Sequence, residues 1–145
     1  MRLPRQAYAG YDEEWLIDDL AGCTPVVTLG FLRRSPHAVK LVDRNGSILY
    51  LNENAMAFYG VEAVDEAVGK LWWDLVRPQL RHTLRNVVTR AGLGENVRVT
   101  VDRQDAQGRD FSTEIVATPV RCRAMSVSKL LVVSPIISTD GKIGG

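Results

Sequence analysis

Residues 42–60 read VDRNGSILYLNENAMAFYG, and this stretch decides the fold. Two β-rich runs flank Asn45 and Gly46. An Asn-Gly pair in this setting is typical of a β-hairpin, because both central residues of a type I′ turn need positive φ. Asn52 then precedes a short helical segment that ends at Gly60, since asparagine caps helix N-termini and glycine tolerates the left-handed conformation that follows a helix. The stretch therefore predicts a two-residue hairpin turn, a helix cap, a short helix and a stop.

The same local patterns assign elements on either side of this stretch. Residues 12–21 predict a short helix with acidic residues in its first turn, where the helix dipole favours them. Residues 79–91 predict the clearest helix, because their apolar residues recur at helical spacing. Extended runs follow at 97–103, 111–120 and 130–137. This order predicts an α+β domain with one antiparallel sheet, and short helices and one longer helix packed on one face.

Composition sets limits on the class of protein. The chain has 145 residues, of which 46% are hydrophobic and 24% charged, as in one globular domain. Its 18 basic and 17 acidic residues give a net charge of +1, so charge gives no reason to expect a nucleic-acid partner. We expect a cytoplasmic location without membrane contact, because no signal peptide and no long apolar run are recognisable. Cys23 and Cys122 lack the spacing of metal ligands, so no metal site is predicted.

Four segments occur in a characteristic order and spacing. They are SPHAVKLVDRNGSILYLNENAMAFYG from Ser35, AVGKLWWDLVRP from Ala67, RAGLGENVRVTVDRQDAQGRDFSTEIVATPV from Arg90, and KLLVVSPI from Lys129. Together they resemble the PAS sensor family of bacterial signal transduction. The resemblance covers residues 31–138, with 1–30 as a flanking segment that holds a short amphipathic helix and 139–145 as a tail or the start of a linker. It implies a five-stranded antiparallel sheet of order 2-1-5-4-3, with a small pocket between sheet and helices.

The ending of the chain departs from the family pattern. Many relatives finish the last strand with a DIT-like triplet that leads into a signalling helix, whereas this chain reads SPIISTDGKIGG. The output module is therefore not visible in the sequence, and the chain is open to being a fragment of a longer protein.

The pocket that the resemblance implies would be lined by two adjacent tryptophans and by inward-facing strand residues. Adjacent helical residues diverge by about 100°, so one tryptophan is expected to face the core and the other to stay near the surface. Core packing is the alternative role for both, and the more common use of aromatic residues. Alternation makes the inward sheet positions almost wholly apolar, although the run LLVV leaves the parity of the last strand open. The pocket candidates are Trp72, Trp73, Leu84, Val88, Val99, Val101, Ile115, Ala117, Leu131 and Val133.

Haem and flavin are cofactors of some relatives, and neither is the expected occupant here. Haem-binding relatives use a histidine on the longer helix, but helical geometry places His82 almost opposite the apolar stripe through Leu84 and Val88, toward solvent. Flavin photochemistry of the light-oxygen-voltage type needs a cysteine that the segment GKLWWDLVRPQLRH lacks. A non-covalently bound flavin stays open, because a tryptophan face stacks well on an isoalloxazine ring. The expected cofactor is thus none, and the identity of any ligand is unknown.

These observations predict a sensory input domain and not an enzyme. No catalytic triad, phosphate-binding loop or metal cluster is recognisable. A small ligand would enter the apolar pocket and shift the sheet, passing a signal to a fused or associated output, such as a sensor histidine kinase of a two-component system or a transcription regulator.

The alternative is a ligand-free module for dimerisation or protein–protein interaction. In relatives, an amphipathic N-terminal segment packs on the sheet of its own or a partner subunit. The candidates for that contact are Trp15, Leu16, Ile17 and Leu20. A homodimer is expected under both hypotheses. A small-molecule enzyme on a similar frame is disfavoured, because the inward positions are almost wholly apolar.

Overall fold

A five-stranded antiparallel sheet organises the chain. The computed structural model describes residues 11–104, 107–121 and 126–135. The strands are β1 (Ala38–Asp43), β2 (Ile48–Leu51), β3 (Val97–Gln104), β4 (Asp110–Arg121) and β5 (Val127–Ser134). Their order in the sheet is β2-β1-β5-β4-β3, which confirms the predicted fold class and topology. The predicted N-terminal residues 1–10, Cys122 and the tail at 139–145 lie outside the described residues.

The inner face of the sheet, as we call it, carries the larger core. It is covered by α3 (Glu53–Tyr59), α4 (Arg81–Gly92) and two short 3-10 turns, Trp72–Leu75 and Pro78–Leu80. A third 3-10 turn, Val64–Glu66, packs Val64 against the core on the opposite face. Helix α4 buries Leu84, Val87, Val88 and Ala91, the stripe that its helical spacing predicted. No helix in the described ranges has the length and apolar character that crossing a bilayer requires.

The outer face of the sheet is covered by the N-terminal helices. They are α1 (Glu13–Leu20) and α2 (Leu29–Arg34), and their N-termini are capped by the side chains of Asp12 and Thr28. Leu16 and Leu20 of α1 are buried in a second core on this face. The sheet is thus buried on both sides, and β1 is buried at five consecutive positions.

The hairpin between β1 and β2 differs from the predicted two-residue turn. The Gly46 N–H donates to the Asp43 carbonyl, and the Asp43 N–H donates to the Ser47 carbonyl, so the loop has three residues, Arg44 to Gly46. Gly46 has φ +92° and supplies the left-handed residue that follows the turn. The reason is the Asp43 carboxylate, which accepts from the N–H groups of Asn45 and Ser47 and stabilises the longer loop.

Asn52 joins the hairpin, α3 and the segment before β1. Its Oδ1 accepts from the N–H groups of Val39 at 3.1 Å and Ala55 at 2.9 Å. Its Nδ2 donates to the carbonyls of Leu32 and His37, each at 2.9 Å. All four hydrogen-bonding positions of the amide are therefore used within the frame. Asn52 is a helix cap, as predicted, and it also fixes the position of β1.

The parity of β5 requires a correction. Leu130 and Val132 lie in the inner core, whereas Leu131 and Val133 pack against the outer core. The predicted inward orientation of Leu131 and Val133 is wrong. The physical reason is that helices cover both faces of the sheet. The residues that point to either face are therefore apolar, and the run LLVV shows no alternation from which their orientation could be predicted.

Candidate functional site

A lysine lies inside the inner core. Lys40 stands at the centre of β1, between the buried residues Ala38 and Val42, and only 2% of its surface is exposed. The side chains of Ala38 and Val42 belong to the inner core, so alternation directs the Lys40 side chain to the same face. A buried ammonium group needs compensation for its lost hydration, and its neighbours therefore define the site.

Aromatic groups surround the Lys40 ammonium. Nζ lies 4.2 Å from the centroid of the Trp72 ring and 5.1 Å from that of Tyr59. Both distances are in the range of cation–π attraction, which is strongest for tryptophan and increases when the cation is desolvated. The Trp72 Nε1–H donates to the Tyr59 hydroxyl oxygen at 3.0 Å. Trp72 is fully buried, so the inner core holds this polar group at its centre.

Arg103 brings a second cation to the edge of the same group. It follows Val97, Val99 and Val101 in the inward-facing series of β3, and it is only partly buried. Its guanidinium carbon lies 4.0 Å from the centroid of the Phe58 ring and 5.6 Å from that of Tyr59. Phe58 and Tyr59 form the C-terminal end of α3 and are themselves partly buried. Arg103 therefore covers the rim of the site where it meets solvent. We call Lys40, Phe58, Tyr59, Trp72 and Arg103 the inner cationic cluster.

The electrostatics of the cluster follow from burial and charge. Burial lowers the pKa of the Lys40 ammonium, with the nearby charge of Arg103 acting in the same direction and Tyr59 opposing them. Burial raises the pKa of the Tyr59 phenol, but the nearby charges of Lys40 and Arg103 and the hydrogen bond from Trp72 outweigh it and bring the pKa below its usual value. Among the described residues, no carboxylate forms an ion pair with Lys40 or Arg103.

The two adjacent tryptophans have different surroundings. Trp72 is 1% exposed in the inner core, whereas Trp73 is only partly buried and packs over the hairpin turn. A Cβ added to Gly46 would collide with the Trp73 ring, which shows how closely that ring covers the turn. The guanidinium carbon of Arg85 lies 5.8 Å from the centroid of the Trp73 ring. Trp72 therefore belongs to the candidate site and Trp73 to the support of the hairpin.

The other predicted pocket residues divide between the faces. Leu84, Val88, Val101, Ile115 and Ala117 are in the inner core, and Val99 packs against it, partly buried. Leu131 and Val133 are on the outer face and cannot line a pocket beside Trp72. Whether the inner group contacts a ligand stays a prediction.

Sequence reasoning missed the polar members of the inner face. The inward positions are not almost wholly apolar, since alternation adds Thr113 and Ser134, both buried, to Lys40 and Arg103. One signal for Lys40 was available. Every residue from Ala38 to Val42 except Lys40 is apolar. This pattern is typical of a strand that is buried on both faces, so a lysine in it cannot reach solvent. Nothing local marks Tyr59 or Arg103 as its neighbours.

His82 lies away from the inner cationic cluster. It is exposed on the solvent side of α4, in a groove of about 550 Å³ lined by Pro78, Arg81, His82, Arg85, Asn86 and Thr89. It does not face the inner core, so nothing in its position suits it to hold a haem there. Within the described ranges, no group of three or more histidine, cysteine, aspartate or glutamate side chains is placed to bind a metal ion.

A second buried lysine lies on the outer face of the sheet. Lys129 of β5 is also 2% exposed, but its Nζ lies 2.5 Å from the Asp19 carboxylate of α1 and 3.2 Å from the Ser128 hydroxyl. This ion pair attaches α1 to the sheet. The flanking-helix candidates lie on the same helix: Leu16 and Leu20 are buried, Trp15 is partly buried, and Ile17 is 51% exposed.

The comparisons with known proteins agree with this architecture. Residues 32–137 match the family described as PAS fold, so the chain belongs to the PAS family. No curated protein matches the chain.

Solved PAS domains show the same fold at low sequence identity. The PAS domain of an HTR-like protein from Haloarcula marismortui is 16% identical with a TM-score of 0.57, over 74% of this chain and 87% of that one. The PAS domain of Bordetella pertussis BvgS is 18% identical with a TM-score of 0.62, over 77% and 84%. VqmA bound to DPO is 14% identical with a TM-score of 0.64, over 76% of this chain and 56% of VqmA. The fold is therefore shared with these three proteins.

Proposed function

We propose that this chain is a sensory input domain that binds a small ligand at the inner cationic cluster and passes the resulting conformational change to an output module. The observation that carries the proposal is Lys40, a fully buried cation in the inner core without a carboxylate partner among the described residues. A buried charge without an ion-pair partner costs stability, and such groups are candidates for functional sites. The proposed function is non-catalytic.

Strand β1 connects this site with the N-terminal helices on the outer face of the sheet. Lys40 alternates along β1 with Val39 and Leu41, which pack in the outer core under the N-terminal helices. A ligand that shifts β1 therefore changes the packing of α1 and α2 against the other face. The proposed outputs are a sensor histidine kinase or a transcription regulator, a choice supported by neighbours described as a sensor histidine kinase/response regulator and as LuxR-type receptors.

Two measurements on the full chain test the proposal. An absorption spectrum of the freshly purified protein reports haem or flavin directly. A thermal-shift screen with a broad set of metabolites then reports colourless ligands, because a ligand that binds only the folded state raises the melting temperature. We expect no visible absorption and stabilisation by at least one compound. A blank spectrum together with no stabilisation by any compound would contradict the proposal.

A second candidate function is dimerisation or protein interaction without a ligand. The observation that favours it is a set of exposed apolar side chains on the outer layer, Ile17 at 51%, Val26 at 85% and Phe31 at 49% exposure. Ile17→Glu and Val26→Glu leave Leu16 and Leu20 in place, so the fold is expected to persist. If the outer layer holds a homodimer together, both variants should be monomers by light scattering. A wild-type protein that is already a monomer, or variants that remain dimers, would reject this role.

A further inference from the structure

The hydrogen-bonding groups of the inner cationic cluster do not balance. The Trp72 Nε1–H, the Lys40 ammonium and the Arg103 guanidinium are donors only, and the Tyr59 hydroxyl oxygen is the one acceptor among the five side chains. That oxygen accepts a hydrogen bond from the Trp72 Nε1–H at 3.0 Å, and the Lys40 Nζ lies 5.1 Å from the centroid of the Tyr59 ring. The Tyr59 O–H itself donates to no described residue.

The charges do not balance either. Two positive groups approach Tyr59 from the strands β1 and β3, and no described carboxylate is paired with either of them. The aromatic faces of Trp72, Tyr59 and Phe58 compensate only in part, because a cation–π contact is weaker than an ion pair with hydrogen bonds in a desolvated site. The site therefore lacks one negatively charged group with several acceptor lone pairs.

We propose that the ligand of this site is a small aromatic carboxylate, an inference that rests on the proposed sensory function. Its carboxylate accepts from the Lys40 ammonium, the Tyr59 O–H and the Arg103 guanidinium. Its ring packs against Trp72 and Phe58. A carboxylate matches these three donors because its two oxygens offer about four acceptor positions and carry one negative charge.

The ligand enters at the rim formed by Arg103 and the end of α3. There, Arg103, Phe58 and Tyr59 are only partly buried, whereas Lys40 and Trp72 lie behind them. The guanidinium moves from the Phe58 ring, 4.0 Å away, to the incoming carboxylate. The end of β3 is thereby the first part of the sheet to respond to binding.

The test compares acids with neutral compounds of the same shape. Benzoate, phenylacetate and 3-phenylpropionate, each beside its primary amide, are titrated into the full chain by isothermal titration calorimetry. We expect at least one acid to bind about tenfold or more tightly than its amide, a difference of about 1.4 kcal/mol, because hydrogen bonds to a charged group are stronger than those to a neutral one. Phenylphosphonate and benzenesulfonate, run in parallel, separate a demand for a carboxylate from a demand for any anion.

Three variants assign the preference to the cluster. Lys40→Met should abolish the preference for acid over amide, and Tyr59→Phe, which keeps the ring and removes the O–H, should reduce it severalfold. Lys129→Met, which removes the buried lysine of the outer face, should leave it unchanged. Each variant is first checked for a cooperative melting transition, and Tyr59→Phe keeps the test valid if Lys40→Met does not fold.

The outcomes separate this inference from the proposed function. Equal binding of acids and amides, or an acid preference that Lys40→Met and Tyr59→Phe leave intact, overturns the carboxylate inference while a sensory role stands. Failure of every acid to bind overturns it as well. Failure of the proposed function has a different signature, namely no chromophore and no stabilisation by any compound in the metabolite screen. Tighter binding of the phosphonate or sulfonate than of every carboxylate overturns the assignment of the ligand class.

Discussion

The two faces of the sheet each bury one lysine, and they compensate its charge differently. On the outer face, Lys129 has a carboxylate partner in Asp19 and a hydroxyl neighbour in Ser128. On the inner face, Lys40 has aromatic rings and a phenol oxygen, with no carboxylate from the described residues. The outer lysine is thus complete within the chain and attaches a helix. Under the proposed function, a ligand supplies the missing negative charge beside the inner lysine, which is why we propose recognition at the inner face.

The largest expected effect is on the aromatic wall of the inner face. Trp72→Ala removes a fully buried ring that also covers Lys40, and truncation of a buried aromatic residue costs about 3–5 kcal/mol of unfolding free energy. Trp73→Ala is the matched control, because the neighbouring ring is only partly buried and should cost clearly less. Urea denaturation measures both. Equal losses would show that Trp72 has no special place in the inner core.

The outer ion pair gives the next effect. Asp19→Asn leaves Lys129 buried without its counter-ion, and we expect a loss of about 2 kcal/mol, below the usual 3–5 for a broken buried pair because Asp19 is 39% exposed. The control is Asp74→Asn, which breaks the exposed pair of Asp74 with Arg81 and should cost at most about 0.5 kcal/mol. A loss for Asp19→Asn no greater than this control would remove the contrast between the faces.

Replacement of the inner lysine should not destabilise the protein, in contrast to the loss of the outer ion pair. Lys40→Met replaces a buried charge that lacks a counter-ion by an apolar chain of similar length, so we expect unchanged stability or a gain of up to about 1 kcal/mol without ligand. Lys129→Met, in contrast, should lose stability because it leaves Asp19 unpaired. Denaturation of both variants under identical conditions provides the comparison. A substantial loss for Lys40→Met would mean that the chain itself fully compensates Lys40.

The smallest expected effect is a dependence of stability on pH. The pKa of Lys40 is lower in the folded protein than its ordinary value of 10.5. At a pH between the folded-state pKa and 10.5, the unfolded chain therefore binds more protons than the folded one. Stability from this group therefore rises with pH through that window, and the lowered pKa of Tyr59 acts in the same direction below its ordinary value of 10.0. Tyr11, whose pKa burial and Glu13 raise, opposes the trend above pH 10.

The measurement is the difference between wild type and Lys40→Met in unfolding free energy from pH 8 to pH 10. Taking the difference cancels Tyr11 and the other groups far from the cluster. Wild type should gain stability relative to the variant as the pH rises. A flat difference, or one of opposite sign, would show that Lys40 is not destabilised in its charged form.

Local signals in the sequence predicted the frame well, and the candidate site poorly. The caps at Asn52 and Gly60 and the apolar stripe of α4 depend on residues near one another in sequence, so local patterns predicted them. The strand order followed from the resemblance to the PAS family. The hairpin loop was misjudged because the Asp43 side chain outweighs the Asn-Gly preference. The orientation of Leu131 was wrong, and the burial of Lys40 was missed, because both depend on which layers cover the two faces of the sheet.

The most direct test of the central claim observes the Lys40 ammonium itself. Nitrogen-15 NMR of the lysine side chains, assigned with Lys40→Met and Lys129→Met, follows both Nζ resonances while phenylacetate is added at constant pH. We expect the Lys40 resonance to shift with saturation as its pKa rises toward 10.5 beside a carboxylate, and the Lys129 resonance to stay in place. A Lys40 resonance that does not move at saturating phenylacetate, or moves equally with phenylacetamide, would contradict the claim that the inner face requires an anion.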